Sequence, residues 1–344
     1  MNRGHVTQTP AGIDAEGVTT WFLSNVPGVV APLAFSLIAG GHSNLTFKLD
    51  DAAGASYVLR RPPTGHVLAT AHDMGREHTI ISAIHGSDVP VPLTIGVEHD
   101  EAVNGAPFYV MDFVEGAVLH NEELATVVPV GEREALGDHV IEVLAALHQL
   151  DPDAVGLGEL GKKADYIPRQ LRRWSRQWEQ SKTRELPAME DIHRSLEERM
   201  PEQIGASIVH GDYRIGNMIT GGGRVLAVLD WELCTLGDAM ADVGYLMNNW
   251  IGPGEAPAGT SGPTAAGGFA SRDHLIGRYQ DLTGRDVSHV DYYRAFSHWR
   301  LAAIVEGVLN RYLNGAMGDQ DGDTDLFKLQ VDNLAANALE LLGG

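Results

Sequence analysis

Three things are scarce in this chain, and each closes off a class of function. Cysteine occurs once in 344 residues, as Cys234, which excludes an intramolecular disulfide and fits a reducing cytoplasm. No histidine partner pattern accompanies Cys234, so it reads as a small packed residue rather than a nucleophile. Basic residues are also few, 25 Lys and Arg against 46 Asp and Glu, for a formal charge of −21. Nucleic acids and anionic membrane surfaces are polyanions, and that balance argues against both as partners. It leans towards cationic small molecules, although bulk charge says little about a pocket. Long apolar runs are missing as well, so neither a signal peptide nor a membrane span is evident. What remains is 44% hydrophobic and 21% charged, an ordinary globular composition, at a length that suits two domains or lobes.

The chemistry concentrates in residues 205–250, where a His, several Asp, an Asn and a Glu sit between short apolar runs. Ile208-Val209 reads as a strand end that His210-Gly211-Asp212 leaves into a polar loop. Asn217 follows five residues after Asp212 and opens a second apolar run. Gly221 to Gly223 can supply the positive φ of a tight hairpin turn, and the returning strand ends on Asp230. Such a hairpin is expected to bring Asn217 and Asp230 to one open end, beside the loop of Asp212. Carboxylate and amide oxygens gathered in this way are hard ligands, suited to Mg²⁺ rather than to soft metals.

The pattern His210-x-Asp212-x4-Asn217, followed by Asp230-Trp231-Glu232, resembles the catalytic loop and metal-binding Asp of the aminoglycoside phosphotransferase and choline kinase-like group. These are relatives of protein kinases, whose catalytic loop keeps the same Asp-x4-Asn spacing. The resemblance implies an α+β, protein kinase-like two-lobe fold. A small antiparallel β-sheet lobe with one helix over 1–111 would be joined by a hinge at 112–116 to a larger, mostly helical lobe over 117–344.

Upstream residues supply a candidate nucleotide site. Two strands around 34–49 flank Gly40-Gly41-His42-Ser43-Asn44, a turn small enough for backbone N–H groups to approach a phosphate, or else an ordinary hairpin turn. Its place between the first two strands matches the kinase phosphate loop. The next strand, Ser56 to Arg61, carries Arg60 where the family usually has the phosphate-binding Lys. Arg offers a planar fork instead of a point charge; a strand-edge surface charge is the alternative. Arg61 is expected on the opposite face and solvated. In a helix over 69–85, Glu77 shares a face with Met74, Ile81 and Ile84. A carboxylate there needs a partner, which Arg60 can supply, unless Glu77 pairs with Arg76 or His78 on the surface. Met111 to Gly116 resembles the hinge, with Asp112, Phe113 and Val114 contacting the nucleotide through backbone groups.

Beyond residue 121 the pattern is helical: 132–150, where His148 reads as a capping or core histidine, then an Arg- and Trp-rich stretch over 166–184, read as an ion-paired helix. Asp238 suits a helix N-cap, and the resemblance gives Asp242 a supporting bond to the catalytic loop. Residues 251–271 are Gly- and Pro-rich, a lid over the acceptor pocket or a passive insertion. Helices are expected over 272–282, 291–313 and 326–342.

The resemblance, which covers about residues 33–315, implies phosphoryl transfer from ATP, with GTP open, to a hydroxyl of a small molecule. Asp212 would be the base, and Asn217 and Asp230 would hold Mg²⁺. Arg60, set by Glu77, and the loop from Gly40 to Asn44 would hold the phosphates, with His210, Glu232 and Asp242 in support. The runs Tyr57 to Pro63 and Val209 to Asn217 are most similar to the subgroup of kinase domains associated with acyl-CoA dehydrogenases, which act on hydroxyacyl-type substrates. A catalytically silent nucleotide-binding regulatory protein is the alternative, and a hydrolase using His210, Asp212 and Asp230 would want more ligating histidines. Oligomeric state is open.

Overall fold

The computed structural model describes residues 9–39, 44–64, 73–255, 262–315 and 323–343. The chain divides into two compact units, one of Met1–Glu115 with Leu226–Glu232, the other of Gly116–Val225 with Leu233–Gly344.

In the first unit, Asp14 caps α1 (Ala15–Asn25) by accepting the N–H groups of Glu16 and Gly17, which would otherwise be unpaired. Then come β1 (Ala34–Ala39), β2 (Leu45–Asp50), β3 (Ser56–Arg61), α2 (Met74–Ile84), β4 (Thr94–Glu98), α3 (Glu101–Asn104) and β5 (Phe108–Asp112). The strands form one antiparallel sheet in the order β1-β2-β3-β5-β4. Val18, Trp21 and Phe22 lie at helical spacing on α1 and pack with Phe47, Leu49, Leu59, Phe108 and Val110 into the core. Pairing of Arg60 with Tyr109 across β3 and β5 puts those side chains together on one face, and α2 packs beside β4 and β5.

Arg61 corrects an expectation. It does lie on the opposite face from Arg60, but it is only 6% exposed. Its guanidinium donates to the carbonyl oxygens of Gly12 (2.6 Å), Asn104 (3.0 Å) and Pro62 (3.0 Å). Strand alternation fixes the face a residue takes, but not whether that face is covered. Here the approach to α1 and the end of α3 cover it. α3 is a single turn that Asp100 caps and that Gly105, at φ 70°, ends.

The second unit contains β6 (Ala117–Val118), α4 (Glu122–Ala125), α5 (Val130–Gln149), α6 (Tyr166–Ser181), α7 (Pro187–Glu198), β7 (Ser207–Val209), β8 (Met218–Gly221) and the start of β9 (Arg224–Val228). It continues through β10 (Thr235–Gly237), α8 (Met240–Asn249), α9 (Arg272–Thr283), α10 (Val290–Leu313) and α11 (Thr324–Leu341). β6, β8 and β9 form a small sheet, and β7 pairs with β10. Gly222 and Gly223, at φ 57° and 68°, make the tight turn between β8 and β9. Among the described residues no ion pair involves the arginines of α6, which were expected to be ion-paired. Among the described residues Arg169 donates to the Lys162 carbonyl (2.7 Å), and Arg173 lies over the Trp174 ring at 5.1 Å. No described helix is long and apolar enough to cross a membrane.

Candidate active site

The first unit gathers one cluster around Arg60. Glu77 projects from the buried face of α2, beside Met74, Ile80, Ile81 and Ile84, and is 2% exposed. Its Oε1 accepts from Asn44 Nδ2 (2.8 Å) and its Oε2 from the Tyr109 hydroxyl (3.1 Å). Arg60 Nε lies 3.3 Å from Glu77 Oε2, an ion-pair distance, but it is not aligned as a hydrogen bond. Among the described residues the directional bond of the guanidinium runs from Nη2 to Asp230 Oδ1 at 2.6 Å. Burial pushes the Glu77 carboxyl up, while the Arg60 charge and the Tyr109 hydroxyl pull it back. Burial opposes the Arg60 charge in turn, yet Tyr109, Glu77 and Asp230 together hold the guanidinium protonated more firmly than usual. The surface-pairing alternative for Glu77 is thereby closed.

Asp230 sits at φ 67°, a left-handed conformation that costs a non-glycine residue about 1–3 kcal/mol and needs its surroundings to hold it. Part of that hold is the Arg60 bond. The rest is the anchoring of its segment in the first unit, where Val228 N–H donates to Pro90 O (2.8 Å) and the buried Trp231 indole to Val228 O (3.1 Å). Glu232 accepts weakly from Asn44 Nδ2 at 3.4 Å. At the end of β5, Asp112 spends its N–H on Leu93 O (2.9 Å), and Lys48 lies 4.8 Å over the Phe113 ring; Val114 is half-buried. Gly40, Gly41, His42 and Ser43 fall outside the described residues.

The second unit holds Asp212. Where β7 ends, Asp242 of α8 accepts the N–H groups of His210 (2.7 Å) and Gly211 (2.9 Å). Burial would raise the Asp242 carboxyl, but these donors and His148 keep it below the usual carboxylate range. His148, driven down by burial, lies between Asp242 (3.4 Å) and the Tyr279 hydroxyl (2.8 Å). Gly211 has φ 85°, and a Cβ there would come 2.9 Å from the Leu233 carbonyl oxygen, so only glycine fits. The His210 ring accepts the Asp212 N–H at 3.2 Å and stands edge-on to Tyr213.

Asp212 carries three side-chain contacts. Asn217 Nδ2 donates to its Oδ2 (2.7 Å) and to its backbone carbonyl (2.9 Å). The Tyr245 hydroxyl donates to Oδ1, and Arg214 Nε lies 3.4 Å from the same oxygen. Tyr245 and Arg214 were not anticipated. A signal for Tyr245 existed, since it follows Asp242 by three residues on α8 and shares its face. Arg300 of α10 donates to the Gly211 carbonyl (3.0 Å) and lies over the Tyr245 ring. Asp238 accepts the Met240 N–H (3.1 Å) and the Tyr293 hydroxyl (2.6 Å).

Beside this loop opens a cavity of about 660 Å³ whose walls include Arg214, Tyr245, Asn248, Arg272, Arg294 and His298. Arg272 donates to Glu255 (2.8 Å), and Arg294 to Asp291 (2.9 Å) and Asn248 (3.2 Å). Burial, then the Arg294 and Arg272 charges, drive His298 down to about 4. A second cavity, of about 700 Å³, is lined by Asp238, Arg285 and Tyr293 and does not include Asp212. Volume alone therefore does not single out a site; what marks the first cavity is that Arg214 and Tyr245, which both contact Asp212, line it.

Asn217 and Asp230 each offer a hard oxygen of the kind that Mg²⁺ takes. No group of three or more His, Cys, Asp or Glu able to hold a metal occurs among the described residues. Asn217 spends its N–H on Asp212, which leaves its amide oxygen for a ligand. Asp230 uses only Oδ1 towards Arg60.

Comparisons place this arrangement among known proteins. Residues 34–274 match the phosphotransferase enzyme family. A mouse protein, acyl-CoA dehydrogenase family member 10, is 35% identical over 80% of this chain and 26% of its own length. The chain spans less than half the length of such curated relatives. A solved Ralstonia eutropha structure named a "putative aminoglycoside phosphotransferase" is 34% identical, with a TM-score of 0.81 over 96% of this chain and 98% of that one. A thermostable mutant of aminoglycoside phosphotransferase APH(4)-Ia, in complex with AMP-PNP and hygromycin B, has a TM-score of 0.60 over 94% and 99% of the two chains. It is 17% identical, and so shares the α+β, kinase-like fold.

Proposed function

The chain belongs to the phosphotransferase enzyme family, and on that premise we propose that it moves the γ-phosphoryl group of ATP to a hydroxyl of a small molecule. The observation that carries this reading is Asp212. It lies on a loop pinned by Asp242 and bonds to an Asn five residues on, and its partners Arg214 and Tyr245 line a cavity of about 660 Å³. Positioning and electrostatics do most of the work in such a transfer. Asp212 receives the acceptor hydroxyl proton as the new O–P bond forms and the bond to ADP breaks. Arg60, braced by Glu77, meets the phosphates together with Asn44 and residues Gly40 to Ser43. Backbone groups from Asp112 to Val114 face the base. Asn217 and Asp230 would hold Mg²⁺, which would neutralise charge at the phosphates; His210, Glu232 and Asp242 hold their neighbours in place. The nucleotide-binding lobe is 1–111, the hinge 112–116 and the acceptor lobe 117–344, in a cytoplasmic setting; GTP is the competing donor.

The cavity's charge favours a hydroxyacyl-type acceptor over an aminoglycoside. Its lining balances Arg214, Arg272 and Arg294 against Glu255, Asp291 and Glu340, where a polycation would call for surplus carboxylates. A hydroxyacyl acceptor also accords with relatives named for acyl-CoA dehydrogenase. The test is a mass-spectrometric screen of hydroxylated metabolites with Mg·ATP, hydroxyacyl thioesters and aminoglycosides included. Gain of one HPO₃ unit by a thioester is expected. No product, together with no thermal shift on adding Mg·ATP, would sink the reading.

A further inference from the structure

We infer that Tyr245 is a positioning residue for the transfer: its hydroxyl, on the cavity wall, turns the Asp212 carboxylate so that Oδ2 faces the acceptor. The inference rests on the proposed phosphotransferase reading.

An ionised carboxylate has about four acceptor positions, two on each oxygen. At Oδ1 the Tyr245 hydroxyl donates, and the Arg214 guanidinium stands at ion-pair distance, Nε 3.4 Å away, without a hydrogen bond. At Oδ2, among the described residues, Asn217 Nδ2 donates at 2.7 Å. Oδ1, flanked by a hydroxyl and a guanidinium, is therefore the more crowded oxygen, and Oδ2 the more open to an incoming hydroxyl. Without Tyr245 the carboxylate could rotate about its Cβ–Cγ bond, and the acceptor would meet either oxygen.

Tyr245 is itself fixed well enough to do this. It lies one turn beyond Asp242 on α8, and Asp242 holds the loop backbone through the N–H groups of His210 and Gly211. One helix face thus holds both the backbone and the side chain of the catalytic loop. From α10, Arg300 lies 5.4 Å over the Tyr245 ring and also donates to the Gly211 carbonyl at 3.0 Å. Burial first, and Asp212 second, push the phenol above its ordinary value, so the hydroxyl donates to Asp212 and does not compete with it for the proton. Tyr245 also lines the cavity of about 660 Å³. That proton moves to Oδ2, the acceptor oxygen bonds to phosphorus, and the electron pair of the broken P–O bond leaves on ADP.

Tyr245→Phe removes one oxygen and keeps the ring under Arg300. The assay is ADP formation by the full chain from Mg·ATP, with a hydroxylated-metabolite mixture and with water alone. The expected result is a fall in kcat of about tenfold to a hundredfold, the range for a hydrogen bond to a charged group. The KM for Mg·ATP should stay within about twofold. In an Asp212→Asn background the same change should cost less than about twofold, because the group it positions is gone. A Tyr245→Phe enzyme that keeps more than about half its kcat overturns the inference, as does a loss repeated in full in the Asp212→Asn background. If the variant melts several degrees lower, that double-variant ratio still decides, since a structural defect persists there and a positioning effect vanishes. A wild-type chain that forms no ADP in either condition instead refutes the phosphotransferase reading on which the inference stands.

Discussion

Replacing Glu77 with alanine tests the cluster around Arg60 most severely. The carboxylate is 2% exposed and serves Asn44 Nδ2 (2.8 Å), the Tyr109 hydroxyl (3.1 Å) and the Arg60 guanidinium (3.3 Å). Removing one member of a buried ion pair costs about 3–5 kcal/mol, because the other charge stays behind uncompensated. Here part of the Arg60 charge remains answered by Asp230, which pulls the figure towards the lower end. The Tyr109 hydroxyl then loses a buried acceptor, at about 1–3 kcal/mol. The sum expected for Glu77→Ala is about 4 kcal/mol, read as a lower denaturant midpoint with unchanged slope. Glu77→Gln keeps an oxygen for Asn44 or Tyr109 and should cost about half as much. The functional consequence is separate. With Glu77 gone, Asp230 becomes the sole anion on Arg60, so the guanidinium is drawn off the phosphates and Mg·ATP affinity measured calorimetrically drops. A Glu77→Ala chain within about 0.5 kcal/mol of wild type would refute the reasoning, since a surface carboxylate behaves that way.

Two further changes follow from the same geometry. Gly211→Ala forces a Cβ onto φ 85°, with the Leu233 carbonyl oxygen 2.9 Å away; at least about 2 kcal/mol of stability should be lost, and an unshifted midpoint in denaturant titration would contradict this. His298 is held near 4 against an ordinary 6.5, by burial and then by Arg294 and Arg272. Its neutral form contributes stability that is complete above about 6.5 and is lost as pH falls towards 4, a loss of about 3 kcal/mol. His298→Asn should flatten that part of the stability–pH curve, and an equally steep curve in the variant would show that other groups cause it.

What could be read beforehand was mostly local along the chain. Asp212 and Asn217 are five residues apart and bond directly, and the glycine pair at 222–223 sits in the turn its φ preference demands. The Glu77 and Arg60 pairing was also legible, because a carboxylate in an apolar helical stripe must find a cation. Arg61 was not, since its burial depends on coverage by residues near positions 12 and 104. Tyr245 reaches the loop across 33 positions, and the one clue to it was its place three residues after Asp242 on the same helix face. Nor did the order of the chain reveal that Asp230 belongs with the first unit while the strand leading to it begins in the second. That grouping is set by tertiary bonds such as Val228 to Pro90.

The central claim is that Asp212 takes the acceptor proton while other residues bind the nucleotide, and one substitution separates those two jobs. Asp212→Asn keeps the size of the side chain and removes the base. Phosphate transfer measured at saturating Mg·ATP should fall by about 10²–10⁴, the range for positioned proton transfer, while calorimetric Mg·ATP affinity stays within about twofold. A variant that retains more than about a tenth of the wild-type transfer rate contradicts the account, because Asp212 would then not be the base on which it depends.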